Sequence, residues 1–151
     1  MKLVPAGTPI LTTPAFPVLY FDKESKLDIL VADMRALMER EGGIGLAAPQ
    51  VGVGLRVIIA KDRALANPVI TWHSTRCLVA IEGCLSLPGM MRPIMRWRRI
   101  TVTALDLDTL KDVTIEAKDE MARVLQHEID HLNGILITHR NMWNMNVEVK
   151  A

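Results

Sequence analysis

Apolar residues recur along this chain with two different periods, and the change from one to the other marks its elements. Leu27, Leu30, Val31, Met34, Leu37 and Met38 follow the i, i+3, i+4 spacing of one helix face, so the pattern predicts an amphipathic helix turning this stripe to a core. Ser25 precedes it as an N-cap, and Asp28 puts an acid in its first turn. A second stripe, Met121, Val124, Leu125, Ile129 and Leu132, predicts a helix over residues 117–132, opened by Asp119 and Glu120 and closed by Asn133-Gly134.

Elsewhere the period is two. The turn Gly52-Val53-Gly54 leads into Leu55-Arg56-Val57-Ile58-Ile59-Ala60, a β-branched run that reads as a buried strand. Residues 67–70 and 75–81 read as two short strands joined by a polar connection. Residues 99–106 alternate and, after a turn at Asp108-Thr109, continue as 112–116, which predicts an antiparallel hairpin. Pro5, Pro9, Pro14 and Pro17 make residues 1–22 an extended arm laid over the domain. Residues 141–151 carry little pattern and read as a short tail. With no repeat, linker or low-complexity tract, the expectation is one domain over 1–151 of α+β class. It has a long central helix packed against antiparallel β-sheets, with the amphipathic helix N-terminal to it.

Composition adds exclusions. Eighteen basic against seventeen acidic residues leave a net charge of +1, so no nucleic-acid footprint is expected. No apolar run is long enough to cross a bilayer. The start, Met1-Lys2-Leu3-Val4-Pro5, lacks the apolar core of a signal peptide, and the expected location is the cytoplasm. Cys77 and Cys84 are then read as thiols. Arg92, Arg96, Arg98 and Arg99 around Trp97 form a basic patch, of which Arg96, Arg98 and Arg99 read as a solvated sheet face rather than an RNA contact, and Asp130 reads as facing solvent.

The second helix also carries Gln126-His127-Glu128-Ile129-Asp130-His131, an HExxH motif. Positions four apart share a helix face, so His127 and His131 can both turn an imidazole nitrogen to one divalent ion, with Glu128 as general base to a water on it. A catalytic centre needs a third protein ligand and an open position. The extension xxGxxH is followed as far as Gly134 and fails at Ile137, and His139 stands two residues late. Cys84, in the irregular stretch Glu82-Gly83-Cys84-Leu85-Ser86, is the remaining candidate. A peptide-cleaving metalloenzyme and a closed structural site using Cys77 as fourth ligand stay open on these residues alone. Gly43-Ile44-Gly45 lacks the third glycine of a dinucleotide loop and predicts instead a close backbone approach to a ligand or a strand.

Three stretches together carry a resemblance: Gly43-Ile44-Gly45-Leu46-Ala47-Ala48-Pro49-Gln50, Glu82-Gly83-Cys84-Leu85-Ser86 and Gln126-His127-Glu128-Ile129-Asp130-His131. In this order they resemble the peptide deformylase family, with similarity from about Val4 through Leu136. The resemblance implies removal of the N-formyl group from the N-terminal formyl-methionine of newly synthesised polypeptides. It implies one divalent metal, natively Fe²⁺ with Zn²⁺, Ni²⁺ or Co²⁺ as substitutes, on Cys84, His127 and His131. It implies hydroxide held by that metal as the attacking group, Glu128 as general acid/base, and the Gln50 amide and the Leu85 backbone N–H as donors to the oxyanion. Gly43, Ile44 and Gly45 would pair with an extended substrate, and Ile44, Val124 and His127 would wall the methionine pocket. Implied partners are N-formylmethionyl nascent peptides and a transient contact with the ribosome, for a monomer without nucleic-acid or membrane binding. Two departures stand out. Thr138-His139-Arg140 replaces an apolar residue followed by Asp, and Met91 replaces an Arg that some members place seven residues after the cysteine.

Overall fold

Strand β2 (Val57–Ala60) is buried at every position, the burial expected of a β-branched run with a helix on each side. The computed structural model describes residues 1–19 and 26–140. β2 lies in a five-stranded antiparallel sheet of order β1-β2-β3-β6-β7, with β1 spanning Gly45–Ala47, β3 Arg63–His73, β6 Arg99–Asp106 and β7 Lys111–Lys118. Helix α1 (Leu27–Arg40) covers one face, where Met34, Leu37 and Met38 join Val57, Ile59, Ala64 and Ala66 in a single apolar cluster. Helix α2 (Asp119–Leu132) covers the other, where Val124, Leu125, Ile129 and Leu132 join Ile58, Ala60, Leu65 and Val102. The alternation within β2 thus sends successive side chains to different helices.

A second sheet has, among the described residues, two strands, β4 (Cys77–Gly83) and β5 (Met91–Trp97), paired in unbroken antiparallel register from Cys77↔Trp97 to Gly83↔Met91. Its buried face, Glu82, Ile94 and Arg96, turns inward toward α2. Gln126 on α2 clasps the end of this ribbon: its Oε1 accepts from the Trp97 N–H at 3.0 Å and its Nε2 donates to the Trp97 carbonyl at 2.9 Å.

Both predicted helices, the buried strand and the 99–116 hairpin are present, so the α+β expectation holds. Ser25 and the tail 141–151 lie outside the described residues. Where α1 begins, Lys26 holds a left-handed φ of 54°. Two expectations are corrected, and one strand stands outside them. The strand read at 67–70 is the middle of an eleven-residue strand. Left-handed Asn67 and Pro68 bulge it against β6 and interrupt the two-residue pattern there. β5 went unread because Arg92, Pro93, Arg96 and Trp97 mask the alternation. The arm contains one turn of 3-10 helix at Pro9–Thr12, started by a proline whose missing N–H costs nothing there. Before it Ala6-Gly7 make a turn, with the Thr8 N–H on the Pro5 carbonyl at 3.1 Å, and after it the Ala15 N–H anchors the arm on the Leu132 carbonyl at 2.8 Å.

Candidate metal centre and active-site cavity

Helical periodicity brings His127 and His131 to one side of α2, with ring centroids 5.0 Å apart. The turn that follows β4 carries Cys84 to the same point. Its Sγ lies 3.3 Å from His131 Nε2, and one ligand atom each from Cys84, His127 and His131 fall within 4.8 Å of one another. A thiolate and two imidazoles at such spacing suit a borderline-soft divalent ion, and they leave a fourth position for a non-protein ligand. The chemistry of the site agrees. Glu128 Oε2 is buried without a hydrogen-bond partner among the described residues, an arrangement that a polar ligand in the cavity would satisfy.

The other ring nitrogen of His127 is fixed by a residue the sequence reading passed over. Glu82 Oε2 lies 3.0 Å from His127 Nδ1, so the ring donates there and presents Nε2 to Cys84 and His131. Glu82 is buried yet ionised. Desolvation opposes that charge, but hydrogen bonds from Arg96 and His127 hold the carboxyl well below the usual carboxylate range. Arg96 donates to both its oxygens at 2.9 Å, and Arg123 adds a bond of 2.6 Å. Arg96 reaches on to Asp130, and Arg140 clamps the same carboxylate, with Nε 2.9 Å from Oδ2. Here two expectations fail. Arg96 is 3% exposed and Asp130 6%, because each neutralises the other across the α2–ribbon interface, away from solvent. The signal for Glu82 was present in the Glu-Gly-Cys triplet; that for the Arg96–Asp130 pair was not.

The two histidines differ in their surroundings. Burial alone would hold the His127 imidazole down, but hydrogen bonds to Cys84 and Glu82 outweigh it and push it up to about 10. A cation on Nε2 would replace the proton that this environment favours. His131 is pushed well below its ordinary value by burial, reinforced by the charge of His127, and stays neutral as a ligand must. Burial also pushes the Glu128 carboxyl up to about 7, where a proton can be both taken and given near neutrality.

Gln50 is held at both ends. Its Oε1 accepts from the Ala47 N–H at 2.8 Å, the turn-capping role, and this aims its Nε2 at Ser86 Oγ, 3.0 Å away, and Cys84 Sγ, 3.7 Å away. Gly45 is glycine for a reason internal to the protein: a Cβ there would stand 2.2 Å from Glu128 Oε1. A cavity of about 930 Å³ joins Gly43, Ile44, Gly45, Gln50, Cys84, Leu85, Val124, His127 and Glu128, so all the predicted site residues except the more deeply placed His131 line it. Neither rival ligand joins them. His139 Nδ1 accepts from the Leu136 N–H at 3.1 Å, and Cys77 sits at the far end of the ribbon opposite Trp97. Arg92 reaches the Thr138 carbonyl at 3.4 Å.

The family model described as polypeptide deformylase matches residues 1–146. The peptide deformylase of Acidothermus cellulolyticus is 41% identical over 138 residues, a span covering 89% of this chain and 74% of that relative. Among solved structures, the peptide deformylase of Thermotoga maritima aligns with a TM-score of 0.86 at 38% identity, over 92% of this chain and 95% of that one. A probable peptide deformylase from a Synechococcus phage gives 0.87 at 36% identity, over 92% and 98%. With the family match extending over nearly its whole length, this chain belongs to the polypeptide deformylase family.

Proposed function

We propose that this chain, as a single catalytic domain, hydrolyses the formyl amide of N-formylmethionyl polypeptides, releasing formate and a free N-terminal amine. The observation that carries the reading is the convergence of Cys84, His127 and His131 with a buried, partnerless carboxylate oxygen of Glu128. A divalent ion on those three ligands, Fe²⁺ natively with Zn²⁺, Ni²⁺ or Co²⁺ as substitutes, would polarise the formyl carbonyl and lower the pKa of attacking water. Glu128 takes the proton from that water and returns it to the departing nitrogen, a double duty suited to a carboxyl pushed up to about 7. The Gln50 Nε2 and the Leu85 backbone N–H donate to the oxygen on which charge develops, each contributing about 3 kcal/mol of barrier reduction. Gly43, Ile44 and Gly45 receive the extended substrate backbone, and Ile44, Val124 and His127 enclose its methionine side chain.

The same reading makes the protein a cytoplasmic monomer acting on nascent chains, with a transient contact at the ribosome. Among the described residues, no helix is long and apolar enough to cross a membrane.

The test is formate release from formyl-Met-Ala-Ser by protein reconstituted anaerobically with Fe²⁺, beside Glu128→Ala and Cys84→Ala. The expected result is turnover in the parent and collapse in both variants, with metal retained in Glu128→Ala and lost in Cys84→Ala. Absence of formate from folded, metal-loaded parent would sink the reading.

A further inference from the structure

The two histidines of the metal centre are held in different ways. Glu82 fixes the His127 ring through Nδ1, whereas His131 Nδ1 is buried and makes no hydrogen bond among the described residues. A ligand ring is ordinarily oriented by the bond that its second nitrogen makes. No protein group among the described residues makes that bond for His131, so its place is set by the backbone beneath it. His131 is the last residue but one of α2, and whatever holds the end of this helix holds the ligand.

Arg56, one residue before β2, grips that end. Its Nη1 donates to the Leu132 carbonyl at 3.2 Å and to Asn133 Oδ1 at 2.9 Å, and its Nη2 reaches the Pro68 carbonyl at 3.4 Å. The last carbonyls of a helix have no partner within it and carry the negative end of its dipole, so a cation is favoured there. All three acceptors are carbonyl oxygens, and burial holds the guanidinium below its ordinary value with no carboxylate among the described residues raising it. Its contribution is therefore the fixed fork of donors, not the neutralising of a charge. The base of the side chain is fixed as well. The Arg56 N–H donates to the Phe16 carbonyl and the Arg56 carbonyl accepts from the Asn67 N–H, each at 2.8 Å. The Ala15 N–H meets the same Leu132 carbonyl at 2.8 Å, and a Cβ on Gly134 would stand 2.7 Å from the Thr12 carbonyl carbon. The end of α2 is thus seated against both the sheet and the arm.

Resting on the metal-dependent deformylase reading, we infer that Arg56 is a positioning residue for His131, doing through the helix backbone what Glu82 does for His127 through the ring. The last turn moves as a unit. The Gly134 N–H closes on the His131 carbonyl at 3.2 Å and the Asn133 N–H on the Asp130 carbonyl at 2.9 Å, so a displacement of residues 132–134 is passed to His131. Without the guanidinium the Leu132 carbonyl keeps only the Ala15 N–H, and His131 gains a freedom that His127, tied to Glu82, does not share. Three ligands on one ion must keep their mutual angles, so loosening one of them weakens the set. Arg56 lies outside the lining of the cavity and acts through the ligand, not on the substrate.

The experiment loads the parent, Arg56→Met, Arg56→Lys, Asn133→Ala and Leu37→Ala with Co²⁺ and withdraws the metal with a graded chelator, reading the thiolate-to-metal absorption of Cys84 beside the melting temperature. Leu37 packs on the α1 side of the sheet, away from the cavity. Arg56→Met is expected to hold Co²⁺ about tenfold more weakly than the parent, the low end for loss of an outer partner because the Ala15 bond remains. Asn133→Ala, which removes one acceptor of the fork, and Arg56→Lys, whose ammonium still reaches one carbonyl, stand between the two. Leu37→Ala lowers the melting temperature at least as far and keeps the parent's affinity. Should Arg56→Met not fold, Asn133→Ala carries the comparison. Parent affinity in Arg56→Met and Asn133→Ala, or an equal loss in Leu37→Ala, overturns this inference and leaves the deformylase reading standing. If the losses appear but Fe²⁺-loaded parent releases no formate from formyl-Met-Ala-Ser, the role of Arg56 stands and the deformylase reading falls. A parent without the thiolate absorption overturns both.

Discussion

The two sheets of this protein are held by different forces. In the five-stranded sheet the centre is apolar on both faces, with Val57 through Ala60 fully buried between two helices. Among the described residues the β4–β5 ribbon has two strands, a size that is marginal in water unless something fixes it. Here the fixing groups are charged: Arg96 and Arg123 on Glu82, Arg96 and Arg140 on Asp130. The ribbon also carries Glu82 and delivers Cys84 to the helix histidines. Directional bonds fix a carboxylate and a thiol in angle as well as distance, which non-directional apolar packing does not do. The five-stranded sheet thus supplies the platform and the ribbon the alignment.

The largest effect expected from this contrast is that of Arg96→Met. It removes the cation between two buried carboxylates while roughly keeping volume, and costs about 3 kcal/mol, the low end for a broken buried pair because Arg123 and Arg140 remain. Glu82 then orients His127 less firmly, so metal retention against a chelator falls about tenfold. Urea denaturation and chelator competition read the two effects, and loss of stability with metal retention unchanged would break the link between them. Next in size is Ile58→Val at the centre of β2, expected to cost about 1 kcal/mol by the lost methyl group while leaving metal retention and kcat unchanged. If both variants moved metal retention equally, the division between platform and alignment would be wrong.

The smallest effect belongs to an ion pair at the surface. Arg35 and Asp108 join α1 to the β6–β7 turn at 2.7 Å with both side chains partly in water. Asp108→Asn should cost about 0.5 kcal/mol or less. The hydrogen bond from Arg35 holds the Asp108 carboxyl below its ordinary 3.8, so the contribution is present above that value and disappears as pH falls through the lower folded one. Stability curves of parent and variant should therefore differ at neutral pH and converge in acid.

Legibility in the sequence followed the same division. Helix α1, helix α2, strand β2 and the β6–β7 hairpin were readable because their core stripes repeat within a few residues. The histidine pair was readable for the same local reason, and Cys84 through its irregular glycine-flanked setting. Strand β5 was not. Its pattern depends on an arginine behaving as a buried residue, and a neighbourhood of Arg92, Arg96, Arg98 and Arg99 looks solvated until Glu82 and Asp130 arrive from other elements. Gly45 was readable as a place of close approach, but that it admits Glu128 was not.

The amino-acid sequence by itself determined the two helix faces, the hairpin and the family, and singled out the candidate ligands, since each rests on spacing within one segment or on motifs taken in order. Only the tertiary structure decided that Asp130 and Arg96 are buried, that Glu82 orients His127, and that Arg56 grips the end of the helix carrying His131. The physical reason is that burying a charge depends on a partner supplied from elsewhere in the chain, and no local pattern of residues carries that information.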